Sequence, residues 1–180
     1  VRDAQEEVYA AVDQQITEWG IEHNDRGWRA DAYLYCVETD CPECGAVVPL
    51  APSWQIASKE NVIAKLEYDE DADRVEIEVL ESASQKQWEE AKDEGTVQGD
   101  RLHCPVCNRS TPMRMVRGDR RGENGTKYGL RMWEERDVVP RSEDTFRERL
   151  YCIRWVERDD GEKKRHYRSC TEADRERESK

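Results

Sequence analysis

The chain has 180 residues, a net charge of −12 and a mean hydropathy of −1.06, with 36% hydrophobic and 39% charged residues. This length suits one domain of ordinary size, alone or with appendages, and the modest apolar content predicts a small core. The chain has no signal peptide and no apolar run long enough to span a membrane, so we expect a cytoplasmic protein without a membrane partner.

The acidic surface contains few lysines, with 8 Lys against 21 Arg among the 29 basic residues. This bias resembles that of halophilic proteins, in which carboxylates keep the chain soluble in salt that screens charges over about 3 Å. An ordinary acidic protein, or one with acidic disordered tails, is the alternative. Net charge therefore does not exclude DNA as a partner. Because the first residue is Val1, we also expect a segment of a longer protein.

Apolar residues recur at helical spacing over 2–19, and Gly20 is placed to end that helix. A turn follows at 24–27. Strands are predicted at 32–37, 47–50, 62–68, 74–80, 149–157 and 166–169, with an acidic hairpin loop at 69–73 and a turn at Gly161. A short helix is predicted at 84–94, and Thr171 is the predicted N-cap of a terminal helix. Residues 114–129 are rich in Arg and Gly and are predicted to be irregular, and 133–147 is a charged loop.

Two cysteine pairs carry the strongest signal: Cys41-Pro-Glu-Cys44-Gly45, the first knuckle, and Cys104-Pro-Val-Cys107-Asn108, the second knuckle. Two residues between thiols let both sulfurs reach one ion, and four thiolates make a closed structural Zn²⁺ site. The 59 residues between the pairs predict that a sheet brings the knuckles together. Two redox-active pairs are the weaker alternative, because neither pair opens a helix after a strand.

The remaining thiols are Cys36, Cys152 and Cys170. We expect Cys36 and Cys152 to be buried core residues. A fifth metal-site thiol at Cys36 and a Cys152–Cys170 disulfide are the alternatives. Asn108 stands where a Gly often follows a knuckle, and it tolerates the left-handed conformation that this position requires. His103 is expected to lie beside the metal site or at the surface, because four thiolates already suffice as ligands; a role as a metal ligand is the alternative.

Several short segments also carry a resemblance to a known family. They are Ala32-Tyr33-Leu34-Tyr35, both knuckles, Val48-Pro49-Leu50-Ala51-Pro52-Ser53-Trp54, Gly95-Thr96-Val97, Arg165-His166-Tyr167-Arg168 and Thr171-Glu172-Ala173-Asp174. In this order, over roughly 30–175, they resemble the zinc-ribbon-containing adenine-specific DNA methylases of bacteria and archaea. In that family the ribbon is inserted within the methylase chain. The segment from Val48 to Trp54 is the most specific part.

The resemblance implies a parent enzyme that methylates the N6 atom of adenine with S-adenosylmethionine, after flipping the base out of the duplex. The family's Asp/Asn-Pro-Pro-Tyr tetrapeptide and its Phe-x-Gly-x-Gly cofactor loop are absent here. We therefore expect no catalytic residue and no bound S-adenosylmethionine in this segment. The implied partners are DNA, through the parent enzyme, and the catalytic domain of the same chain.

A local excess of basic residues provides candidate DNA contacts, which are Arg109, Arg114, Arg117, Arg120, Arg121, Lys127 and Arg131. Arginine binds phosphate with two hydrogen bonds, and nearby glycines let the backbone approach. A solvated surface loop, or a face that docks the acidic methylase core, is the alternative. Trp54 and Trp155 are expected in the core, whereas Trp88 and Trp133 are candidates for interdomain packing or base stacking.

The sequence thus predicts an α+β fold in which an antiparallel sheet contains a zinc ribbon, with an N-terminal helix and a short C-terminal helix. Predicted segments are an N-terminal helical segment (1–29), the ribbon domain (30–170) and a terminal helix or linker (171–180). The predicted function is a non-catalytic, zinc-binding accessory domain of an adenine-specific DNA methyltransferase that positions DNA or braces the catalytic domain. A zinc-ribbon module for protein interaction, unrelated to methylation, is the alternative.

Overall fold

A computed structural model of the chain describes residues 2–20, 22–123, 125–159 and 162–178. The helices of this part are α1 (Arg2–Trp19), α2 (Gln85–Asp93), α3 (Met113–Val116) and α4 (Glu172–Glu178). Its strands are β1 (Arg29–Asp40), β2 (Val47–Leu50), β3 (Gln55–Ala57), β4 (Val62–Asp69), β5 (Arg74–Leu80), β6 (Val97–Gln98), β7 (Arg101–His103), β8 (Ser110–Pro112), β9 (Arg120–Gly122), β10 (Gly125–Lys127), β11 (Arg147–Asp159) and β12 (Glu162–Ser169). The predicted α+β class, with its N-terminal helix and short C-terminal helix, is confirmed.

The chain divides into two compact units, which we name the terminal unit (Val1–Leu34 with Cys152–Lys180) and the central unit (Tyr35–Tyr151). The long strands β1 and β11 each contribute residues to both. The segments predicted from sequence were 1–29, 30–170 and 171–180. In the structure, the N-terminal helix belongs to the same unit as the C-terminal hairpin and helix.

The central unit contains a sheet in the order β1-β2-β5-β4-β3, a small sheet β6-β7-β8 and a separate hairpin β9-β10. The pairs are antiparallel except β2 with β5, whose single parallel register joins Val47 to Arg74. The fold is therefore mostly, not wholly, antiparallel. The predicted hairpin around the acidic loop is confirmed, because Asp69 pairs with Arg74 across its end.

Two apolar clusters form the core of the central unit. One contains Cys36 and Trp54 with Ile63, Ala64, Ile77, Ala83 and Ala91, and Trp88 of α2 packs against it. The helix α2 begins with a capping box, in which Ser84 accepts from the Gln87 amide and Gln87 accepts from the Ser84 amide. The second cluster lies at the cysteines and is described with them below.

In the terminal unit, β11 lies between β12 and β1, and its buried side chains include Cys152, Ile153 and Trp155. The helix α1 forms as predicted, but none of its residues is buried. Val12 and Trp19 of its apolar stripe stay 48% and 61% exposed. The predicted turn at Gly161 lies outside the described residues.

Residues 114–129, which are rich in Arg and Gly, were predicted to be irregular, and this prediction is wrong. The short helix α3 is followed by the β9–β10 hairpin, with Gly122 paired to Gly125. The charged loop predicted at 133–147 contains no helix or strand from 133 to 146, and β11 already begins at Arg147.

Candidate metal centre and basic surface

The four predicted zinc ligands, Cys41, Cys44, Cys104 and Cys107, converge, with all four sulfur atoms within 4.8 Å of one another. The Sγ atoms of Cys41 and Cys107 lie 3.9 Å apart, and those of Cys44 and Cys104 lie 3.8 Å apart. A tetrahedral ion with metal–sulfur bonds of about 2.3 Å separates its ligands by about 3.8 Å, so these distances match such a site. They are far too long for disulfides, which need about 2 Å.

The two knuckles are built alike. Each knuckle lies in a six-residue loop that closes a β-hairpin. The first loop joins Asp40 of β1 to its partner Val47 of β2, and the second joins His103 of β7 to its partner Ser110 of β8. Within the loops, the Gly45 amide donates to the Cys41 carbonyl at 2.8 Å and the Asn108 amide donates to the Cys104 carbonyl at 3.0 Å. Gly45 (φ 87°) and Asn108 (φ 56°) both adopt positive φ, so the prediction for Asn108 is confirmed.

Backbone amides point at the sulfur atoms, as knuckle geometry requires. The Ala46 amide hydrogen-bonds to Cys44 and the equivalent Arg109 amide to Cys107. Burial raises the pKa of Cys44, whereas at Cys107 burial is outweighed by the Arg109 amide and the neighbouring thiols, which leave its pKa below the ordinary value. Burial raises the pKa of Cys104 to about 12. Thiolates at Cys44 and Cys104 would therefore be stabilised by a bound cation, whose binding would release their protons.

The first cysteine of each knuckle packs in an apolar cluster. Cys41 and Cys104 are 2% and 3% exposed and belong to the cluster that also contains Val48, Leu102 and Val75. Cys44 is exposed, which leaves one side of the sulfur group open to solvent. An ion pair also links the two knuckles, since Arg109 of the second pairs with Glu43 of the first at 2.9 Å. A site with four protein ligands and this support is structural in character, because no coordination position is left for a substrate.

The other thiols lie elsewhere. Cys36 and Cys152 are 8% and 0% exposed, which confirms their predicted burial, and Cys36 belongs to the other apolar cluster. Burial raises the pKa of Cys36 to about 11. His103 lies on β7 with its Nε2 atom 3.5 Å from the Ser110 hydroxyl. Among the described residues, the metal-type cluster comprises the four knuckle cysteines without a histidine.

Two of the segments that carry the family resemblance, Gly95–Val97 and Val48–Trp54, contact each other, and Thr96 also accepts from the His103 amide just before the second knuckle. The Thr96 hydroxyl, which is 2% exposed, donates to the Pro49 carbonyl at 2.6 Å and accepts from the Ala51 amide at 3.0 Å. Gly95 lies so close to Pro52 that a Cβ atom would stand 2.1 Å from the Pro52 carbonyl oxygen. The residue types at 95 and 96 are thus fixed by contact with the segment that follows the first knuckle.

Three of the seven basic candidates already have carboxylate partners. Arg109 pairs with Glu43, Arg117 pairs with Asp119 at 2.9 Å, and Arg131 lies between Asp137 and Asp144. Arg131 also stacks over Trp133, which is 53% exposed. Phosphate binding at these positions would compete with an ion pair.

The other four candidates, Arg114, Arg120, Arg121 and Lys127, are exposed and have no ion-pair partner among the residues that the structure describes. Arg114, Arg120 and Arg121 line a shallow groove with Tyr128, which is 75% exposed. The unpaired positive charge of the central unit's basic stretch is therefore concentrated on α3 and the β9–β10 hairpin.

Sequence reasoning missed an ion-pair network in the central unit. Arg149, 8% exposed, donates to the Val75 carbonyl at 2.8 Å and contacts Glu76, while Glu38, 9% exposed, pairs with Arg74 at 3.1 Å. A charged residue inside an apolar strand pattern is the signal that could have found it, since such residues are rarely buried without partners.

It also missed a histidine site in the terminal unit. His166 stacks on Trp28 with ring centroids 4.0 Å apart and lies 2.8 Å from the Glu157 carboxylate. The hydrogen bond to His166 lowers the pKa of Glu157. In the β11–β12 register Trp155 pairs with His166, and Glu157 lies two residues from Trp155 on the same face of the strand.

No protein-family model matches the chain, and neither a curated protein nor a solved structure matches it significantly. Among the described residues, no helix has the length and apolar character to cross a bilayer.

Proposed function

We propose that the four cysteines hold a structural zinc ion and that the chain is a non-catalytic accessory domain of an adenine-specific DNA methyltransferase. The observation that carries the zinc assignment is the 3.8–3.9 Å spacing of sulfurs across the two knuckles. Thiolate sulfur in a closed tetrahedral site favours zinc over harder cations, which prefer oxygen ligands.

The methyltransferase assignment rests on the segments around the knuckles. Support comes from the contacts between Gly95, Thr96 and the Val48–Trp54 segment, because residues that resemble a family pattern here form one packed unit. Within such an enzyme the domain would hold its shape by zinc. It would then position DNA through its basic stretch or brace the catalytic domain, where S-adenosylmethionine would bind.

The test uses the longer protein that this proposal requires. Its flanking chain should contain the Asp/Asn-Pro-Pro-Tyr motif, and the purified protein should transfer a methyl group from S-adenosylmethionine to adenine, detected as N6-methyladenine by mass spectrometry of digested DNA. Cys104→Ser should reduce this activity because the knuckles lose their ion, whereas Cys170→Ser should not. A flanking chain without the motif, together with absence of N6-methyladenine, would refute the methyltransferase assignment.

A second candidate, a protein-interaction module unrelated to methylation, is favoured by one observation. Met132, Trp133, Val138 and Val139 are 88%, 53%, 87% and 62% exposed within one loop. Exposed apolar groups in such number are typical of a surface that binds another protein. Absence of the methylase motif with retained zinc would favour this candidate.

A further inference from the structure

The β9–β10 hairpin stands apart from the other sheets and is exposed on both faces. It pairs only with itself, through Gly122 with Gly125, Thr126 with Arg121 and Lys127 with Arg120. All six of its strand residues are exposed. A two-stranded ribbon without an apolar face contributes no side chains to the core, so its own packing adds little to the stability of the fold.

The hairpin carries positive charge that the described residues do not neutralise. Arg120, Arg121 and Lys127 have no carboxylate partner there, and Glu123 is the acidic residue at its tip. Asp119, at the base of the hairpin, pairs with Arg117 and accepts from the Gly129 amide at 3.1 Å, so it does not neutralise the hairpin arginines. The Gly129 amide, with Arg117 next, holds the pKa of Asp119 below its usual range. A chain of net charge −12 therefore presents a cationic ribbon.

The base of the hairpin is fixed in place. A Cβ atom on Gly129 would stand 2.1 Å from the Arg117 carbonyl oxygen, so the two chain segments approach too closely for any larger residue. This contact and the Asp119 hydrogen bond join the chain segments that enter and leave the hairpin. Arg114 and Tyr128 lie beside that base and line the same groove as Arg120 and Arg121.

The dimensions suit one nucleic-acid surface in particular. Three residues per strand give a ribbon of about 10 Å, with strands about 4.8 Å apart. The major groove of B-form DNA, about 12 Å wide, admits a two-stranded β-ribbon, and arginine there binds the O6 and N7 atoms of guanine. The major groove of A-form RNA is too deep and narrow for side chains to read.

We infer that the β9–β10 hairpin enters the major groove of duplex DNA. Arg120 and Arg121 are adjacent in β9 and leave opposite faces of the ribbon, so one contacts base edges and the other a phosphate, while Arg114 contacts the flanking backbone. This inference rests on the proposed function for its choice of DNA as the partner. Single-stranded DNA stacked on Tyr128 is the competing arrangement, and the test separates the two.

The experiment uses the zinc-loaded chain and three labelled probes: a mixed-sequence 20-base-pair DNA duplex, its single strand and the same sequence as double-stranded RNA. Fluorescence anisotropy over a series of NaCl concentrations gives the affinity and its salt slope. The duplex DNA should bind tightest. Arg120→Ala/Arg121→Ala should weaken binding about tenfold and reduce the slope of log K against log[salt] by about one, because one base-edge contact and one phosphate contact are lost.

The matched control is Lys163→Ala/Lys164→Ala, which removes the same charge from exposed positions of β12. It should leave both the affinity and the slope nearly unchanged. Guanine N7 protection from dimethyl sulfate then reports occupancy of the major groove, and it should be present with the wild-type chain and lost with Arg120→Ala/Arg121→Ala.

Equal or tighter binding of the single strand, absence of N7 protection, or an equal effect of the control variant would overturn the inference. So would failure of a zinc-loaded, folded chain to bind duplex DNA. That last result would leave zinc binding and a bracing role intact, whereas loss of zinc or absence of methyl transfer in the longer protein would count against the proposed function itself.

Discussion

Thr96 shows how one hydroxyl joins segments that are far apart in sequence. It donates to the Pro49 carbonyl and accepts from the Ala51 amide, and its own carbonyl accepts from the His103 amide at 2.8 Å. It therefore links the strand that leaves the first knuckle to the strand that enters the second. A buried amide or carbonyl that loses its partner retains its desolvation cost, so this residue should matter for stability.

Thr96→Val keeps the shape of the side chain but removes both hydrogen bonds. We expect it to lower the free energy of unfolding by about 1–3 kcal/mol, because Pro49 and Ala51 are left with unpaired groups. Thr96→Ser, which keeps the hydroxyl, should cost clearly less. Denaturant unfolding of the zinc-loaded variants measures both, and a larger loss for Thr96→Ser than for Thr96→Val would show that the methyl group, rather than the hydroxyl, is what counts.

The sequence predicted the conformation or burial of a residue where its near neighbours determine it, and failed where the contacting residue is distant in the chain. The left-handed conformation of Asn108 follows from its place after a knuckle and from the tolerance of Asn for positive φ. The burial of Trp54 and Trp155 follows from their apolar surroundings. The stack of His166 on Trp28 joins positions 138 residues apart, and no local pattern reveals it.

Among the elements, the charged loop after the hairpin is ordered by ion pairs rather than by an apolar core. Asp137 accepts from the Glu134 amide at 2.7 Å and from Arg141 at 2.9 Å, and it also binds Arg131. Asp144 accepts from the Arg141 amide at 2.9 Å. These contacts hold the loop in the form that exposes Trp133.

The Glu134 amide, with Arg131 next, lowers the pKa of Asp137 to about 2. Since this pKa lies below the ordinary aspartate value of 3.8, the stabilisation of the folded loop by the ionised carboxylate is fully present above pH 4 and is lost as pH falls toward 2. Amide protection of residues 130–146, measured by hydrogen exchange and mass spectrometry, should therefore persist well below pH 3.8 in the wild-type chain.

Asp137→Ala should abolish that protection at every pH, because the three donors lose their acceptor. Glu135→Ala, which removes the same charge from an exposed neighbour, should leave protection unchanged. Loss of wild-type protection near pH 4, or equal behaviour of the two variants, would show that Asp137 does not order the loop.

Element prediction followed the strength of the periodic signal. The hairpin β4–β5 alternates apolar and polar residues over seven or eight positions, and α2 begins with its capping box, so both were predictable. The strands β9 and β10 have three residues each and no apolar alternation. Backbone pairing and close glycine contacts make this hairpin, and these leave no hydrophobic pattern in the sequence.

For the whole molecule, the two cysteine pairs organise the central unit. Their spacing predicted one four-sulfur site, and the structure brings all four sulfurs within 4.8 Å although 59 residues separate the pairs. The strand order that achieves this, with the parallel neighbours β2 and β5, was not predictable, because strand pairing depends on contacts that sequence spacing does not determine.

The central claim is that one structural zinc ion holds the knuckles together, and in a highly charged chain with a small core it should supply much of the stability. In zinc-finger peptides, structural zinc contributes an apparent binding free energy of about 10–16 kcal/mol at neutral pH, which is comparable to the whole unfolding free energy of a domain. A domain of this kind should unfold when a chelator removes its metal.

The most direct measurement is elemental analysis of the purified chain, with thermal unfolding before and after a strong chelator. We predict one zinc per chain, loss of cooperative unfolding of the central unit on chelation, loss of zinc in Cys104→Ser and its retention in Cys170→Ser. A metal-free chain that unfolds cooperatively and responds to reducing agents instead would contradict the zinc site and support two redox-active pairs.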